Sequence, residues 1–204
     1  MYTKQKIVEK FNLSIHQSSK IDQYLDEIHI FNNHTNIVGK STLVDPWNRH
    51  VLDSIQITNF ITNKKSSILD LGTGAGIPGI ILSINDFTNV SLIDSNLKKI
   101  NFIKLVCLKL NIKTKIYHQR IESLINKKFD YLISRAVTNL SQLFYYSQKL
   151  LNKNTILIFL KGKNVKEEIK EANIKWKFKH ELYQSISNKN GNIVIIKHLR
   201  KING

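Results

Sequence analysis

A glycine-rich turn carries the clearest chemical signal in this chain. Residues 68–79 read Ile-Leu-Asp-Leu-Gly-Thr-Gly-Ala-Gly-Ile-Pro-Gly, which is a short apolar strand, an acidic residue near its end, and a turn leading into a helix. Glycine has no Cβ and readily adopts positive φ, so a bulky cofactor can lie directly against the backbone of such a turn. We therefore expect a nucleotide-like ligand here.

Three interpretations of this turn compete. Counted from Gly74, the glycines match the G-x-G-x-x-G spacing of dinucleotide-binding proteins, and Asp94 follows at a suitable distance. The register differs, because Gly72 already follows the strand. Asp70 would repel a pyrophosphate, whereas it would tolerate the cationic amino-acid end of S-adenosylmethionine. The pattern is similar to the first two motifs of Rossmann-like methyltransferases, while a turn that binds no ligand is the third alternative.

Further candidate residues follow the later strands, because ligands of open parallel sheets bind beyond the carboxyl ends of the strands. Asp94 is placed to accept both ribose hydroxyls, or else to cap the next helix. Ile121 and Glu122 lie where an adenine would bind, unless they simply begin an exposed helix. Arg135 ends the fourth strand, where packing alone explains a guanidinium poorly. Lys161 follows the fifth strand and is a candidate phosphate contact or a solvated turn residue.

A polar hexad, residues 49–54, precedes the glycine-rich turn on a predicted helix. It reads Arg-His-Val-Leu-Asp-Ser, and the pairs Arg49/Asp53 and His50/Ser54 have the i,i+4 spacing of helix neighbours. Such pairs stabilise a helix by only about 0.2–0.5 kcal/mol. Arg49 and His50 are therefore candidates for substrate contact as well as for helix stabilisation.

Two missing features limit the kinds of atom that could accept the methyl group. The fourth strand is not followed by the Asp/Asn-Pro-Pro-aromatic turn that orients an exocyclic amine. Methylation of pyrimidine C5 needs a covalent cysteine, and Cys107, the single cysteine, lies in a predicted buried helix stripe. A ring nitrogen such as guanine N7 needs neither device, since its lone pair is already exposed and alignment with the methyl donor is sufficient. One cysteine also gives no disulfide framework and no thiol metal site, which fits the cytoplasm.

Composition indicates one domain with an appendage and a polyanionic partner. The 204 residues include 31 Lys and Arg against 15 Asp and Glu, a formal net charge of +16. Lysines near phosphates add affinity through counterion release, although the richness in Ile, Asn and Lys is also what a biased genome produces. We find no stretch of about 20 apolar residues and no signal peptide, and so expect no membrane association.

The order of elements predicts an α/β fold. Helical periodicity runs to about residue 63, and strands and helices alternate from about residue 66, so we place the domain boundary between 1–63 and 64–204. In the helix at 96–111 we expect a buried stripe of Leu97, Ile100, Ile103, Cys107 and Leu110. The predicted strands are 67–71, 90–94, 113–117, 129–134, 154–160, about 175–183 and 192–198, and the later helices lie near 77–84, 96–111, 140–150 and 164–172.

These motifs together resemble the RsmG (GidB) family of bacterial small-subunit rRNA guanine-N7 methyltransferases. The resemblance runs in order from about Asn36 to Lys163 and includes Arg-His-x-x-Asp-Ser, the glycine-rich turn, Leu-Ile-Asp-Ser, Arg-Ile-Glu, Ile-Ser-Arg-Ala and Leu-Lys-Gly. Two departures are Asn36-Ile37-Val38, where the family commonly has Asn-Leu-Thr, and Gly191-Asn192, where the last strand often opens with arginine. Both concern docking of RNA more than methyl transfer.

The resemblance implies a Rossmann-like class I fold, with a mostly parallel seven-stranded sheet, helices on both faces and an N-terminal helical extension. It implies S-adenosylmethionine as cofactor and, as acceptor, a guanine (position 527) in the 530 loop of 16S rRNA in the small ribosomal subunit. A monomer without metal is expected. Methyl transfer to another RNA, a small molecule or a protein, and RNA binding without catalysis, are the alternatives. The cofactor contacts that the resemblance implies are Gly72, Ile77, Ile121, Glu122 and Arg135, and Arg135 is also the expected catalytic residue. The general logic of the fold adds Asp94, and the glycine-rich turn adds Gly74 and Gly76, which make room for the donor.

Overall fold

A computed structural model describes residues 2–202 and shows a seven-stranded sheet at the centre of the molecule. The strand order is β3-β2-β1-β4-β5-β7-β6, in which β7 runs antiparallel between β5 and β6 and the remaining neighbours are parallel. The predicted seven-stranded, mostly parallel sheet is thereby confirmed. The strands are β1 Ile68–Leu71, β2 Val90–Asp94, β3 Lys115–His118, β4 Phe129–Arg135, β5 Leu151–Lys161, β6 Trp176–Gln184 and β7 Asn192–Lys201.

Helices cover both faces of the sheet and form the N-terminal part of the chain. The hexad begins in a π-helical turn, Trp47–Leu52, and ends in the short helix α3 (Asp53–Ile55), which continues into a 3-10 turn, Gln56–Phe60. Asp45 Oδ1 accepts a hydrogen bond from Asn48 N at 3.3 Å, which satisfies one of the free backbone donors at the start of this segment. The other helices are α1 Lys4–Lys10, α2 Ile15–Asn32, α4 Gly79–Ile84, α5 Leu97–Lys109, α6 Leu140–Ser147 and α7 Val165–Ala172.

The N-terminal helices share a hydrophobic core with one face of the sheet. Successive residues of β1 point to opposite faces, so that Ile68 joins one buried cluster while Leu69 and Leu71 join the other. The first cluster also contains Ile21 of α2 and Ile103 of α5. The N-terminal extension therefore packs directly on the sheet layer that holds the glycine-rich turn.

The predicted buried stripe of α5 is partly wrong. Leu97 is 53% exposed, because it lies in the first turn of the helix at the open edge of the sheet. Phe102 is fully buried instead, since α5 also packs against α2, where the ring of Phe31 lies 5.1 Å from that of Phe102. Cys107 is half-buried, and burial raises the pKa of its thiol to about 11, which disfavours a nucleophilic role.

Candidate functional site

The glycine-rich turn adopts a backbone path that other residues would strain. Gly72, Gly74 and Gly76 all have positive φ, at 62°, 63° and 97°. A Cβ built on Gly72 would lie 2.7 Å from Val137 Cγ2, and one on Gly76 would lie 2.4 Å from Ile80 Cγ1. The turn is therefore a bare cradle at the carboxyl end of β1, as the sequence predicts.

Asp70 shapes this turn from inside the protein. Its side chain is fully buried, does not line the cleft, and accepts hydrogen bonds through Oδ2 from Thr73 Oγ1 and from Gly79 N at 2.9 Å. From the sequence, the charge of Asp70 was expected to distinguish a pyrophosphate from the cationic end of S-adenosylmethionine, but the side chain lies behind the turn because β1 is covered on both faces. Burial raises the pKa of Asp70 to about 7.

The raised pKa of Asp70 makes folding stability depend on pH. Between about pH 4 and 7 the folded chain retains a proton that the unfolded chain has released, so this group stabilises the fold at low pH and the contribution is lost as pH rises through 7. Asp70→Asn keeps the two acceptor bonds and cannot ionise. We expect the stability of the wild-type protein, relative to Asp70→Asn, to fall between pH 5 and pH 8 in urea unfolding.

The wild-type protein must be compared with Asp70→Asn because His50 changes the stability in the opposite direction over part of the same pH range. Burial, reinforced by Arg135 and then Arg49, lowers the pKa of His50 to about 3, so this group gains stability as pH rises towards 6.5. Asp70→Asn leaves His50 unchanged. A stability difference that stays constant from pH 5 to pH 8 would contradict the role given to Asp70.

Asp94 connects the turn to the second strand. Its Oδ2 accepts a hydrogen bond from Gly74 N at 3.0 Å, and its Oδ1 accepts one from Asn96 N at 2.8 Å. Asn96 is the residue that caps α5, by accepting from Lys99 N at 3.3 Å. The alternative of Asp94 as the helix cap is therefore wrong, and contact with a ribose stays a prediction.

A small cavity of about 250 Å³ joins the predicted nucleoside contacts. Ile121 is buried and Glu122 exposed, and both line this cavity together with Asp94 and Gly72. The side chains of Val137 and Tyr146 contribute apolar surface. The structure thus brings together residues that are about fifty positions apart in the chain.

A larger cleft of about 450 Å³ lies on the other side of the turn and contains Arg135. The Arg135 guanidinium donates through Nη1 to Arg49 O at 2.8 Å and to Asp53 Oδ2 at 3.2 Å, and its Nη2 lies 3.2 Å from His50 Nδ1. The predicted pairing of Arg49 with Asp53 is wrong, since Asp53 pairs across the cleft. Ser54 donates to the backbone oxygen of His50 rather than to its ring.

His50 is a neutral side chain in this wall of the cleft. It is buried, and its low pKa keeps the ring uncharged at neutral pH. Because Arg135 has only donor hydrogens, Nδ1 must accept and the ring proton lies on Nε2. Within residues 2–202 that Nε2 has no hydrogen-bond partner. Arg49 is exposed at the mouth of the cleft, where it can reach a substrate.

The connection between β6 and β7 closes the same cleft. Asp53 Oδ1 accepts from Ser187 Oγ at 2.7 Å, and Gln56 Oε1 accepts from Ile186 N at 2.9 Å. Gln56 also donates to Ser185 Oγ at 2.9 Å. Sequence reasoning missed these residues, because serine and glutamine in a turn and a short helix carry no distinguishing pattern.

Lys161 lines the cleft but its charge is already paired. Its Nζ lies 2.7 Å from Glu168 Oε2 and donates to Thr138 O at 2.7 Å, and its side chain is only 8% exposed. Glu168 also accepts from Leu140 N at 2.8 Å. Lys161 thus holds the loop between β4 and α6, and its predicted contact with an RNA phosphate would require breaking this ion pair.

Tyr24 of α2 braces the glycine-rich turn from the N-terminal extension. Its hydroxyl donates to Ala75 O at 2.8 Å, and the side chain is fully buried. A tyrosine at a helical core spacing is indistinguishable from ordinary packing in the sequence, so sequence analysis did not single it out. The bond fixes the carbonyl between two glycines of positive φ.

Removal of the Tyr24 hydroxyl tests this brace. Tyr24→Phe leaves the Ala75 carbonyl without its donor, and an unsatisfied buried carbonyl costs about 1–3 kcal/mol of folding stability. We expect a loss of that size in urea unfolding and about 3- to 10-fold weaker binding of S-adenosylmethionine in calorimetry. Tyr145→Phe, at a half-exposed ring, is the matched control. Equal affinities in the two variants would contradict the brace.

Across residues 2–202, no group of three or more His, Cys, Asp or Glu side chains is placed to hold a metal ion. No helix in that range combines the length and apolar character that crossing a bilayer requires.

The fold is shared with S-adenosylmethionine-dependent enzymes. A methyltransferase from Aquifex aeolicus aligns with a TM-score of 0.60 and 16% identity, over 76% of this chain and 95% of that one. The ribosomal protein L11 methylase of Lactobacillus delbrueckii subsp. bulgaricus aligns with a TM-score of 0.58 and 17% identity, over 72% and 77% of the two chains. At these identities the likeness concerns the fold alone.

Sequence comparison identifies the family. The profile of the GidB family, described as rRNA small subunit methyltransferase G, matches residues 17–199. Ribosomal RNA small subunit methyltransferase G of Rickettsia prowazekii is 38% identical over 90% of this chain and 95% of its own length. The protein of the same name from Orientia tsutsugamushi is 37% identical over 92% and 93%. Because the profile spans most of the chain and these relatives share more than a third of its residues, this chain belongs to the GidB family of S-adenosylmethionine-dependent rRNA methyltransferases.

Proposed function

We propose that this protein transfers a methyl group from S-adenosylmethionine to N7 of a guanine in 16S rRNA, the guanine at position 527 in the 530 loop. The proposal rests on one observation: the cleft that contains Arg135 and the smaller cavity next to Asp94 share three lining residues, Gly72, Lys99 and Ala136. One cavity contains the residues expected to hold a nucleoside, and the other contains Arg135 and His50. A donor and an acceptor can therefore meet at the carboxyl ends of β1 and β4.

The cradle fits the cofactor. A Cβ at Gly72 or Gly76 would crowd the protein itself, so the open backbone of the turn exists only with glycine. We assign Asp94 to the ribose, Ile121 and Glu122 to the adenine, and Gly74, Gly76 and Ile77 to the remaining contacts. When bound, S-adenosylmethionine supplies an electrophilic methyl group on a sulfonium.

The other cleft fits an acceptor that loses no proton. Asp53 accepts from Arg135, Ser187 and Gln56, and is thus occupied by protein donors. His50 Nδ1 faces Arg135. Since guanine N7 carries a free lone pair, these residues need only orient the base and exclude water, and catalysis is mainly alignment. In this role Arg135 organises the wall against which the base lies.

The partner and the cellular location complete the proposal. The net charge of +16 favours association with RNA at low salt. We propose that the protein acts as a monomer in the cytoplasm on the RNA of the small ribosomal subunit, and that residues 1–63 form a helical extension of a methyltransferase domain at 64–204. Arg49, exposed at the cleft mouth, is the first residue expected to contact that RNA.

A labelling experiment tests the proposal. Purified protein is incubated with methyl-labelled S-adenosylmethionine and small ribosomal subunits, and the product is mapped by cleavage at N7-methylguanine. We expect one labelled guanine in the 530 loop. Label on an exocyclic amine would overturn the N7 assignment, and label on protein or small molecules alone would overturn the RNA substrate. Absence of binding heat with S-adenosylmethionine would indicate an RNA-binding protein without catalysis.

A further inference from the structure

Two further cavities continue from the cleft of Arg135 along the N-terminal extension. The first, of about 360 Å³, shares Ile37 and Lys99 with the cleft and reaches the start of α5. The second, of about 560 Å³, shares residues 34–36 with the first. We call the two together the N-terminal groove, lined by residues 29 and 32–37, by Lys40, Leu43 and Val44, and by Asn96, Lys98 and Lys99.

The N-terminal groove is cationic. None of its lining side chains is acidic, whereas three are lysines and two are histidines. The ammonium groups of Lys40, Lys98 and Lys99 make no ion pair or hydrogen bond within residues 2–202, in contrast to the paired Lys161. Free lysines along a groove suit a chain of phosphates, since each contact releases a condensed counterion.

Asn32 places an unused donor at the floor of this groove. The side chain is 5% exposed, and its Oδ1 accepts from Ile37 N at 2.8 Å and from Val38 N at 3.1 Å. Its Nδ2 makes no hydrogen bond within residues 2–202, although the residue lines the larger cavity. The residue is almost entirely buried and its oxygen is held by two backbone donors, so the remaining donor is fixed in place at the cavity, where an acceptor on a ligand can use it.

An apolar surface lies beside this donor. Val44 is 88% exposed and Leu43 half-buried, and both line the same cavity as Asn32. Lys40 stands in the turn just before them. A flat ligand with an edge acceptor, an apolar face and an attached phosphate matches this set, which is the description of a nucleotide in single-stranded RNA.

We propose that the N-terminal groove binds the single-stranded RNA that flanks the methylated guanine, and this inference rests on the proposed function. Lys40, Lys98 and Lys99 hold the phosphates. A flanking base lies on Val44 and accepts a hydrogen bond from Asn32 Nδ2. The continuity of the groove with the cleft sets the path of the strand from the target base, past residues 34–37, towards the end of α2.

A pair of double variants tests the charge of the groove. Lys40→Ala with Lys98→Ala removes two phosphate contacts, while Lys104→Ala with Lys113→Ala removes two exposed lysines outside the groove. In filter binding of a 530-loop RNA, we expect the groove variant to flatten the slope of log affinity against log salt by about 1.4, or about 0.7 for each lysine. The control variant should retain the slope, and a groove variant that matches it would overturn the proposal.

A single substitution tests the donor. Asn32→Asp keeps the acceptor for Ile37 N and Val38 N, removes the donor, and adds a negative charge towards the RNA. We expect the KM for small subunits to rise at least 10-fold, with an unchanged Kd for S-adenosylmethionine, which reports that the fold around the glycine-rich turn is retained. An unchanged KM would overturn the role of Asn32. If the wild-type protein binds this RNA but labels no guanine, the proposed function fails while the binding groove stands.

Discussion

Gly76→Ala is expected to weaken binding of S-adenosylmethionine at least 100-fold. The residue has φ of 97°, a conformation that costs an alanine about 1–2 kcal/mol. The new Cβ would also lie 2.4 Å from Ile80 Cγ1 and 3.3 Å from the Tyr24 hydroxyl. Ile80 is fully buried and cannot retreat, so the turn must move away from the path that the cofactor needs. A 100-fold loss corresponds to about 2.7 kcal/mol.

Calorimetry with S-adenosylmethionine measures this effect directly. Gly162→Ala is the matched control, because nothing lies within 4 Å of a Cβ at that glycine and its φ is not positive. We expect its affinity to remain within about 2-fold of the wild-type value. Binding by Gly76→Ala within 3-fold of wild type would show that the turn is not the cofactor cradle.

Arg135→Lys is expected to lower kcat/KM for small ribosomal subunits by about 100-fold. The guanidinium holds three groups at once, namely Arg49 O, Asp53 and His50 Nδ1. Lysine carries a compact charge without the planar fork and cannot bridge all three. Without this bridge, Arg49, Asp53 and His50 are no longer held in one arrangement against the acceptor base, while the glycine-rich turn keeps its own hydrogen bonds. We therefore expect the larger change in turnover and a smaller one in cofactor affinity.

Arg135→Ala should also lower the free energy of unfolding by about 1–3 kcal/mol, because Asp53 loses its ionic partner in a half-buried setting. Arg200→Ala, at an exposed position of β7, is the control for loss of an arginine charge. The two predictions are separable, since stability is read by urea unfolding and turnover by methyl transfer. Wild-type turnover in Arg135→Lys would reduce the arginine to a structural residue.

The sheet and the position of the site were predictable from the sequence. Alternating strands and helices impose a parallel sheet, and residues that end its strands must meet at one edge. Asp94, Ile121 and Arg135 indeed line the two joined cavities. A strand end determines where a residue lies along the strand direction, which is why these residues meet at one edge of the sheet, while their contacts with a ligand stay predictions.

The partners of charged side chains were not predictable. The charge of Asp70 was used to discriminate between cofactors, and its side chain is buried behind the turn. Lys161 was a candidate phosphate contact or a solvated turn residue, and it is paired with Glu168. Helix spacing predicted that Asp53 would pair with Arg49, whereas its ionic partner is Arg135 of β4. Helix spacing describes neighbours in one element only, whereas these bonds cross between elements that the sequence leaves unplaced.

The N-terminal boundary at residue 63 stays a prediction. The structure shows that both sides of it share one buried cluster and that Tyr24 is bonded to Ala75. A fragment starting at residue 64 would therefore expose part of the sheet layer that supports the turn. The N-terminal extension is thus attached to the sheet layer both by hydrophobic packing and by the hydrogen bond from Tyr24 to the glycine-rich turn.

The bonds from Asp53 to Ser187 and from Gln56 to Ile186 have a consequence for biosynthesis. A nascent chain emerges from its amino terminus, so the helical turns of residues 47–60 leave the ribosome long before the β6–β7 connection that fastens them. Arg135 arrives in between and cannot complete the wall alone. The hydrogen bonds that fasten residues 53 and 56 can therefore form only after the β6–β7 connection has been synthesised, close to the end of translation.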